Sequence, residues 1–493
     1  MNTQIARIVA VVLLGFAFSG THLSAIDGLD NSFATGGVTA LNLSDNDSVA
    51  DMKIGASGEI YLMGSTSMGV VGNYFNNYED YTNIYVARYL SDGTIDPTFG
   101  GIGGSKPGTV VTDIQLVSDM ALGLVPMSDG TIVAFTTQDS GEQAQLVMLR
   151  YLENGLLDTS FGNLGKKFIN IPAAGNSGAK VELVDDRFVV CWARYAARVE
   201  LDGTLDPTFG SGGVVDFQSV TGIDSNLSQA EIVDGTMVCG IHDRHNAESI
   251  LFQLDHSGAL MPSFGVGGLL YFSTADFPHV EGVRFFVEDN WITLAVSNRI
   301  ARMDFHGNLD RTFGVAGLVD LQKAGYVSDM VRQPYGLIAL AFCFDGFSTE
   351  YAVARLESDG LLDTSFGNDN VSAWQGWLRT PSGIAASANK LLSYSNGKLV
   401  VTGSYYAQVA FINRNVSLFR TEAFGHTPDL PPVGDGSLQS PPDPTHGTEV
   451  GVLDDSLSGD QELFWEPANL DRYSDEELMM LEHWIMETTT IGR

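Results

Sequence analysis

The chain has 493 residues, with 26 Lys and Arg against 60 Asp and Glu, a net charge of −34. That balance leaves no basic footprint for nucleic acid and disfavours docking on anionic lipid. Its 55 glycines and 10% aromatic content suit many short strands joined by tight turns, and three cysteines exclude a disulfide framework.

The N-terminus reads as a secretory signal over 1–25. Arg7 precedes an unbroken apolar run from Ile8 to Phe18. Such a run is too short to span a bilayer and suits the core of a signal peptide. Cleavage is expected after Ser19 or Ala25; the alternative is an uncleaved anchor. No cysteine lies nearby, which disfavours a lipoprotein, and no other segment is apolar enough to cross a membrane. The expected location is secreted, periplasmic or on the cell surface.

From residue 27 onward a short phrase recurs seven times. The copies are Leu29-Asp30-Asn31-Ser32-Phe33, IDPTFG at 95–100, LDTSFG at 157–162, LDPTFG at 205–210, LMPSFG at 260–265, LDRTFG at 309–314 and LDTSFG at 362–367. Their mean spacing is about 55 residues, the period of a solenoid, propeller or array. Within each unit the order is constant. A moderately apolar strand leads through a turn to a very apolar strand, as in SGEIYLMG (57–64), DGTIVAF (129–135) and NGKLVVTG (396–403). Asp-Gly and Asn-Gly between apolar runs are hairpin signals. A variable loop, a third strand, the phrase and a short fourth strand complete the unit.

The expected fold is all-β: a seven-bladed β-propeller of four-stranded antiparallel blades over 26–425, with an open solenoid as the alternative. The first phrase has no three strands before it, and the last unit has no good fourth strand. The strand from Val38 to Leu43 is therefore expected to complete the final blade and remove exposed edges. Phe424-Gly425 is a degenerate eighth phrase that competes for that place. Cys191, Cys239 and Cys343 fall in the same strand of their units and read as buried small hydrophobes, with a Cys191–Cys239 bridge left open.

Comparison of the copies suggests what the phrase does. Five have an Arg eight residues before the Asp: Arg88/Asp96, Arg150/Asp158, Arg198/Asp206, Arg302/Asp310 and Arg355/Asp363. The fifth copy has Gln253 and Met261, so both charges are missing together; the first has His22 at the Arg position. Joint loss points to a bidentate pair that clasps the blade. The alternative, repeated metal sites on these Asp residues, is weaker, because a carboxylate held by Arg is a poor calcium ligand. The pattern DG-x-[LI]-D-x-[TS]-F-G resembles the bacterial delta-60 repeat family over about 27–420. The resemblance implies a secreted or envelope-associated bacterial propeller-like protein, and it supplies no catalytic residues.

Candidate sites lie where the units differ. Val49-Ala50-Asp51-Met52, Val117-Ser118-Asp119-Met120 and Val327-Ser328-Asp329-Met330 share a phrase at the start of the inner strand, and Val280-Glu281 is a possible relative. Asp51, Asp119, Glu281 and Asp329 are expected either to ring the channel mouth and hold Ca2+ or to cap their own loops through Asx turns. Tyr74, Phe75, Tyr78 and Tyr81, among amides in the longest loop, suit a glycan or peptide ligand, or pack on themselves. His242-Asp243-Arg244-His245 has a zinc-like spacing but no evident third ligand, and reads as a solvated turn. No GxSxG elbow, HExxH motif or phosphate loop occurs.

The character changes after Gly425. Residues 426–493 carry a net charge of −13. A Pro- and Gly-rich acidic linker is expected over 426–473 and a short amphipathic helix over 474–488, opened by the capping box Ser474-Asp475-Glu476-Glu477. That helix could dock a partner. The preferred functional expectation is a non-enzymatic binding or scaffolding module at the bacterial envelope, acting on an envelope protein or glycan. The alternative is a calcium-dependent, lactonase-like hydrolase with its site at the central channel.

Overall fold

The computed structural model describes residues 29–44, 47–67, 82–100, 106–114, 118–139, 145–171, 175–233, 235–243, 248–272, 283–288, 290–344, 352–367, 374–379, 387–406 and 414–421. All belong to the first of two compact units, Met1–Asp429; the second is Leu430–Arg493. The signal segment 1–25, Tyr74, Phe75, Tyr78, Tyr81, Glu281, Arg244, His245, Phe424-Gly425, the linker 426–473 and the helix 474–488 lie outside the described residues.

Seven four-stranded antiparallel sheets form a seven-bladed β-propeller. Blade 1 is β2 (Asp47–Ile54), β3 (Ile60–Ser67), β4 (Thr82–Tyr89) and β5 (Thr109–Thr112). Blade 2 is β6 (Ser118–Pro126), β7 (Ile132–Asp139), β8 (Gln145–Tyr151) and β9 (Lys166–Ile169). Blade 3 is β10 (Lys180–Val184), β11 (Arg187–Trp192), β12 (Tyr195–Glu200) and β13 (Val214–Asp216). Blade 4 is β14 (Leu227–Val233), β15 (Thr236–Asp243), β16 (Glu248–Leu254) and β17 (Leu269–Phe272). Blade 5 is β18 (Val283–Glu288), β19 (Trp291–Val296), β20 (Arg299–Asp304) and β21 (Leu318–Asp320). Blade 6 is β22 (Gly325–Arg332), β23 (Ile338–Phe344), β24 (Ala352–Leu356) and β25 (Trp377–Arg379). Blade 7 is β26 (Ser387–Ser393), β27 (Leu399–Tyr406), β28 (Arg414–Arg420) and, from the other end of the chain, β1 (Val38–Leu41), paired with β28 from Val38↔Phe419 to Leu41↔Val416. The one described α-helix, α1 (Phe217–Thr221), is a single turn capped by Asp216. Among the described residues no helix is long and apolar enough to cross a membrane.

The inner hairpins follow from local chemistry. In blade 3 the two-residue turn Asp185-Asp186 has φ of 49° and 59°, the left-handed region that Asp tolerates and that matches the twist of a tight hairpin. The second strand of each blade is apolar on both faces because neighbouring blades cover it. Ile338–Phe344 is buried at six of seven positions. Core clusters therefore join adjacent blades: Phe135 of blade 2 packs with Phe188 and Val190 of blade 3, and Cys239 of blade 4 with Val189 and Cys191 of blade 3. The three cysteines are buried and unbridged; the Cys191 thiol lies 3.7 Å from the Met237 sulfur.

The repeated phrase forms the turn between the third and fourth strands. In blade 1, Asp96 accepts from Arg88 Nε at 2.7 Å, and its other oxygen accepts from the backbone and hydroxyl of Thr98 at 2.9 and 2.7 Å. The Arg88 guanidinium lies 4.8 Å from the centre of the Phe99 ring. The same geometry recurs at Arg150/Asp158, Arg198/Asp206, Arg302/Asp310 and Arg355/Asp363. The clasp also reaches the next blade. Arg88 Nη1 donates to Glu153 O at 2.7 Å, and Gly100 N to Asn154 O at 2.8 Å. The Phe of each phrase is buried and contributes about 1.5–3 kcal/mol. The turn glycine of the following blade lies over it: a Cβ on Gly93, Gly155, Gly258 or Gly360 would come within 2.5–3.0 Å of Phe33, Phe99, Phe209 or Phe313.

Two copies depart from the pattern in informative ways. The first copy does have an Arg, correcting the assignment of His22 to that place. Arg420, at the end of β28, lies 2.8 Å from Asp30, with Lys398 Nζ on the same oxygen at 2.5 Å. Arg420 also stacks over Phe33 at 4.6 Å and donates to Ser91 O of blade 1 at 2.5 Å. The partner is 390 positions away in sequence because β1 belongs to the last blade. The fifth copy, without charges, keeps the backbone of the turn. Met261 N donates to Gln253 O at 2.8 Å, as Asp96 N does to Arg88 O at 3.0 Å.

Candidate functional site: the central channel

The seven inner strands enclose a cavity of about 600 Å³, lined by residues of all seven blades. One position in each inner strand faces its counterparts at the same level, fixed by pairing with the second strand: Asp51↔Met63, Gly123↔Phe135, Lys180↔Cys191, Gln229↔Gly240, Arg284↔Ala295, Asp329↔Ala341 and Lys390↔Thr402. In five blades this position directly follows a β-bulge. A bulge re-aims the strand, and bulges recur next to functional sites. Bonds between blades hold the level. Asp51 accepts from Leu124 N at 3.1 Å, Gln229 from Phe285 N at 3.2 Å and Asp329 from Leu391 N at 2.8 Å. Two residues further along, a second ring holds Lys53, Val125, Glu182, Glu231, Phe286, Val331 and Leu392.

The two rings divide by sector. On blades 1, 3 and 4, the lysines and glutamates neutralise each other, while Asp51 is held by backbone donors. Glu182 meets Lys53 at 2.7 Å and Lys180 at 3.3 Å, and Glu231 meets Lys180 at 3.4 Å. Burial pushes the Glu182 carboxyl up, but Lys53 and Lys180 outweigh it and hold it below the usual range. Burial likewise pulls the Lys180 ammonium down, while Glu231, Glu182 and Asp51 together raise it above its ordinary value. Between blades 1 and 3, blade 2 places only Gly123 in the first ring, where a Cβ would lie 2.9 Å from Val181 and 3.0 Å from Asp51, and the uncharged Val125 in the second, so Lys53 crosses to Glu182 with no competing charge between them.

On blades 5 to 7 the charges stay unpaired. Arg284 donates to the carbonyls of Ser328 at 2.7 Å, Ser228 at 3.0 Å and Val283 at 3.3 Å, and has no carboxylate within 4 Å among the described residues. Asp329 and Lys390 likewise have no ion pair there. Below them Phe286, Val331 and Leu392 are half-buried, each against a core cluster.

The expected acids separate. Asp51 and Asp329 share the first ring, whereas Asp119 does not line the channel. In blade 2 the bulge falls between Ala121 and Gly123, four residues later than the shared phrase implies. Asp119 corresponds instead to Asp47: Asp47 pairs with Thr66 and Asp119 with Gln138, at the entry to the inner strand. Asp47 accepts from Leu43 N, Thr66 Oγ1 and Ser44 Oγ at 2.8, 2.6 and 3.2 Å. Asp119 accepts only from Ile114 N at 3.0 Å; its Oδ1 is buried without a partner among the described residues. Burial pushes its carboxyl up to about 7. Among the described residues no three His, Cys, Asp or Glu are grouped to hold a metal ion. Asp51 and Asp329, each bonded to the next blade, do not by themselves meet the six to eight oxygens calcium takes. His242 and Asp243 end β15, with the rest of that motif outside the described residues.

One family model agrees with the architecture. A family model described as "Domain of unknown function (DUF5122) beta-propeller" matches 56–99 and 346–366, each stretch ending on or just beside the Phe of a phrase copy. The chain is a propeller built of sequence repeats. No curated protein matches it. Solved structures similar to this propeller include a luciferin-regenerating enzyme (13% identity, TM-score 0.35, 61% of this chain and 91% of that one). A protein of unknown function from Bacteroides caccae is 11% identical, with a TM-score of 0.33 over 56% and 88% of the two chains. The WD40 domain of Neurospora crassa Pan2 is 6% identical, with a TM-score of 0.41 over 76% and 89%.

Proposed function

We propose that this is a non-enzymatic binding propeller, exported to the bacterial envelope as a delta-60 repeat protein, whose ligand enters the central channel. The observation that carries the reading is the first ring. At one structurally equivalent position the seven blades place Asp, Gly, Lys, Gln, Arg, Asp and Lys. The phrase, by contrast, repeats nearly unchanged. A pocket of a few hundred Å³ with a few convergent polar groups over apolar walls is the usual form of a small-molecule site. The apolar run from Ile8 to Phe18 and the resemblance of the phrase support export.

Equilibrium dialysis of the protein against a mixture of sugars, amino acids, short peptides, nucleotides and organic acids, read by mass spectrometry, tests the binding role. At least one component should be retained by the wild type and released by Lys390→Met. Retention of nothing, or equal retention by both, overturns the reading. The rival, a calcium-dependent hydrolase, uses Asp51 and Asp329. One tightly held calcium in the purified protein, lost in the Asp51→Asn, Asp329→Asn double variant, would favour it.

A further inference from the structure

We infer that the channel takes a free α-amino acid with a large apolar side chain, its charged head on blades 5 to 7 of the first ring and its side chain on the second. This rests on the channel being a binding site and names what that site selects. In blade order the first ring there reads Arg284, Asp329, Lys390: one anion flanked by two cations, none of them in an ion pair among the described residues. A lone carboxylate ligand would meet the two cations but also Asp329. A lone amine would meet Asp329 but also the two cations. A zwitterion satisfies all three, with its ammonium on Asp329 and its carboxylate towards Lys390 and Arg284.

The partners have the capacity for these bonds. Asp329 uses Oδ2 for Leu391 N, leaving Oδ1 to accept, and the Lys390 ammonium has no hydrogen bond among the described residues. Arg284 is fixed by neutral carbonyls, so its position is set while its charge is uncancelled. A step of two residues along a strand is roughly 7 Å. That distance separates the charged ring from Phe286, Val331 and Leu392, within reach of the side chain of Phe, Leu or Met. The opposite sector holds the network of Lys53, Lys180, Glu182 and Glu231. Its first-ring acid, Asp51, is in no ion pair among the described residues, but backbone donors already occupy both of its oxygens, Met52 N at 2.9 Å on Oδ1 and Leu124 N at 3.1 Å on Oδ2.

The test uses the full chain and isothermal titration with phenylalanine and leucine, their N-acetyl and carboxamide forms, and alanine. Phenylalanine and leucine should bind at least tenfold more tightly than either capped form or alanine. Asp329→Asn, which keeps an acceptor for Leu391 N, should weaken phenylalanine at least tenfold and tighten N-acetylphenylalanine, whose carboxylate no longer meets the Asp329 charge. Lys390→Met should weaken phenylalanine and tighten phenylalaninamide, whose ammonium no longer meets the Lys390 charge. Capped forms that bind as well as the free amino acids overturn the inference. If no amino acid binds but dialysis retains another compound in the channel, this inference falls and the binding reading stands. If dialysis also retains nothing, both fall.

Discussion

The turn after the third strand and the first ring of the inner strand sit on the same repeated backbone, yet they carry opposite kinds of sequence. At the turn, six of seven blades place a cation against the phrase Asp and over the phrase Phe, counting Arg420 with Asp30. At the ring, the blades differ in charge, size and hydrogen-bonding capacity. The turn binds the blade to itself and to its neighbour, so every copy faces the same physical demand. The ring faces one shared cavity, so each copy can meet a different part of a single ligand. Stability should accordingly depend on the turns and ligand selection on the ring.

The largest effect expected from breaking this comparison is at Arg355. Both Arg355 and Asp363 are almost fully buried, 2.6 Å apart. Arg355→Gln alone strands a buried carboxylate and should cost about 3–5 kcal/mol in chemical denaturation. Adding Asp363→Met copies the Gln253/Met261 blade and should recover most of that loss. If the double variant is no better than the single one, the charge pair is more than a replaceable clasp. Arg420→Gln removes the bond to Asp30 that joins the two ends of the chain within the last blade and the bond to Ser91 O of the first blade, and a cost of about 1–3 kcal/mol is expected.

Two buried acids should respond to pH in opposite directions. Thr208, Arg198 and their neighbours hold Asp206 at about 2 against burial, so its stabilisation is present above the unfolded value near 4 and is lost as pH falls towards 2. Asp119 is raised to about 7, so the native state holds its proton more tightly than the unfolded chain. Its contribution is greatest below about 4 and declines as pH rises to about 7. Asp119→Asn should therefore raise the melting temperature by a few degrees at pH 8 and leave it unchanged at pH 4. A stabilisation equal at both pH values would remove burial of the charge as its cause. The smallest stability effect is expected at Lys390→Met, a change of less than about 0.5 kcal/mol.

Much of the turn was legible in the sequence, because Gln253 and Met261 lose their charges together and so reveal a pair. The Arg420–Asp30 clasp was not, because its partners are joined only through the circular order of the blades. Nor was the role of the turn glycines over the phrase Phe, which depends on contact between blades. The channel was legible only in part. Asp51 and Asp329 share a phrase and a ring, but Asp119 shares the phrase without the place. A bulge moves the inner strand relative to any motif read along it, and nothing in Val117-Ser118-Asp119-Met120 marks its shift to Ala121 and Gly123. Lys180, Gln229, Arg284 and Lys390 escaped notice because no two lie in a common motif; their inner-strand positions were the available signal.

The division between turn and ring is tested most directly by measuring melting temperature and phenylalanine affinity in parallel on Lys390→Met and Arg355→Gln. Lys390→Met should melt within about 1 °C of the wild type and bind at least tenfold more weakly. Arg355→Gln should melt several degrees lower and, at a temperature where it is folded, bind with unchanged affinity. A Lys390→Met protein that melts lower yet binds normally would contradict the account.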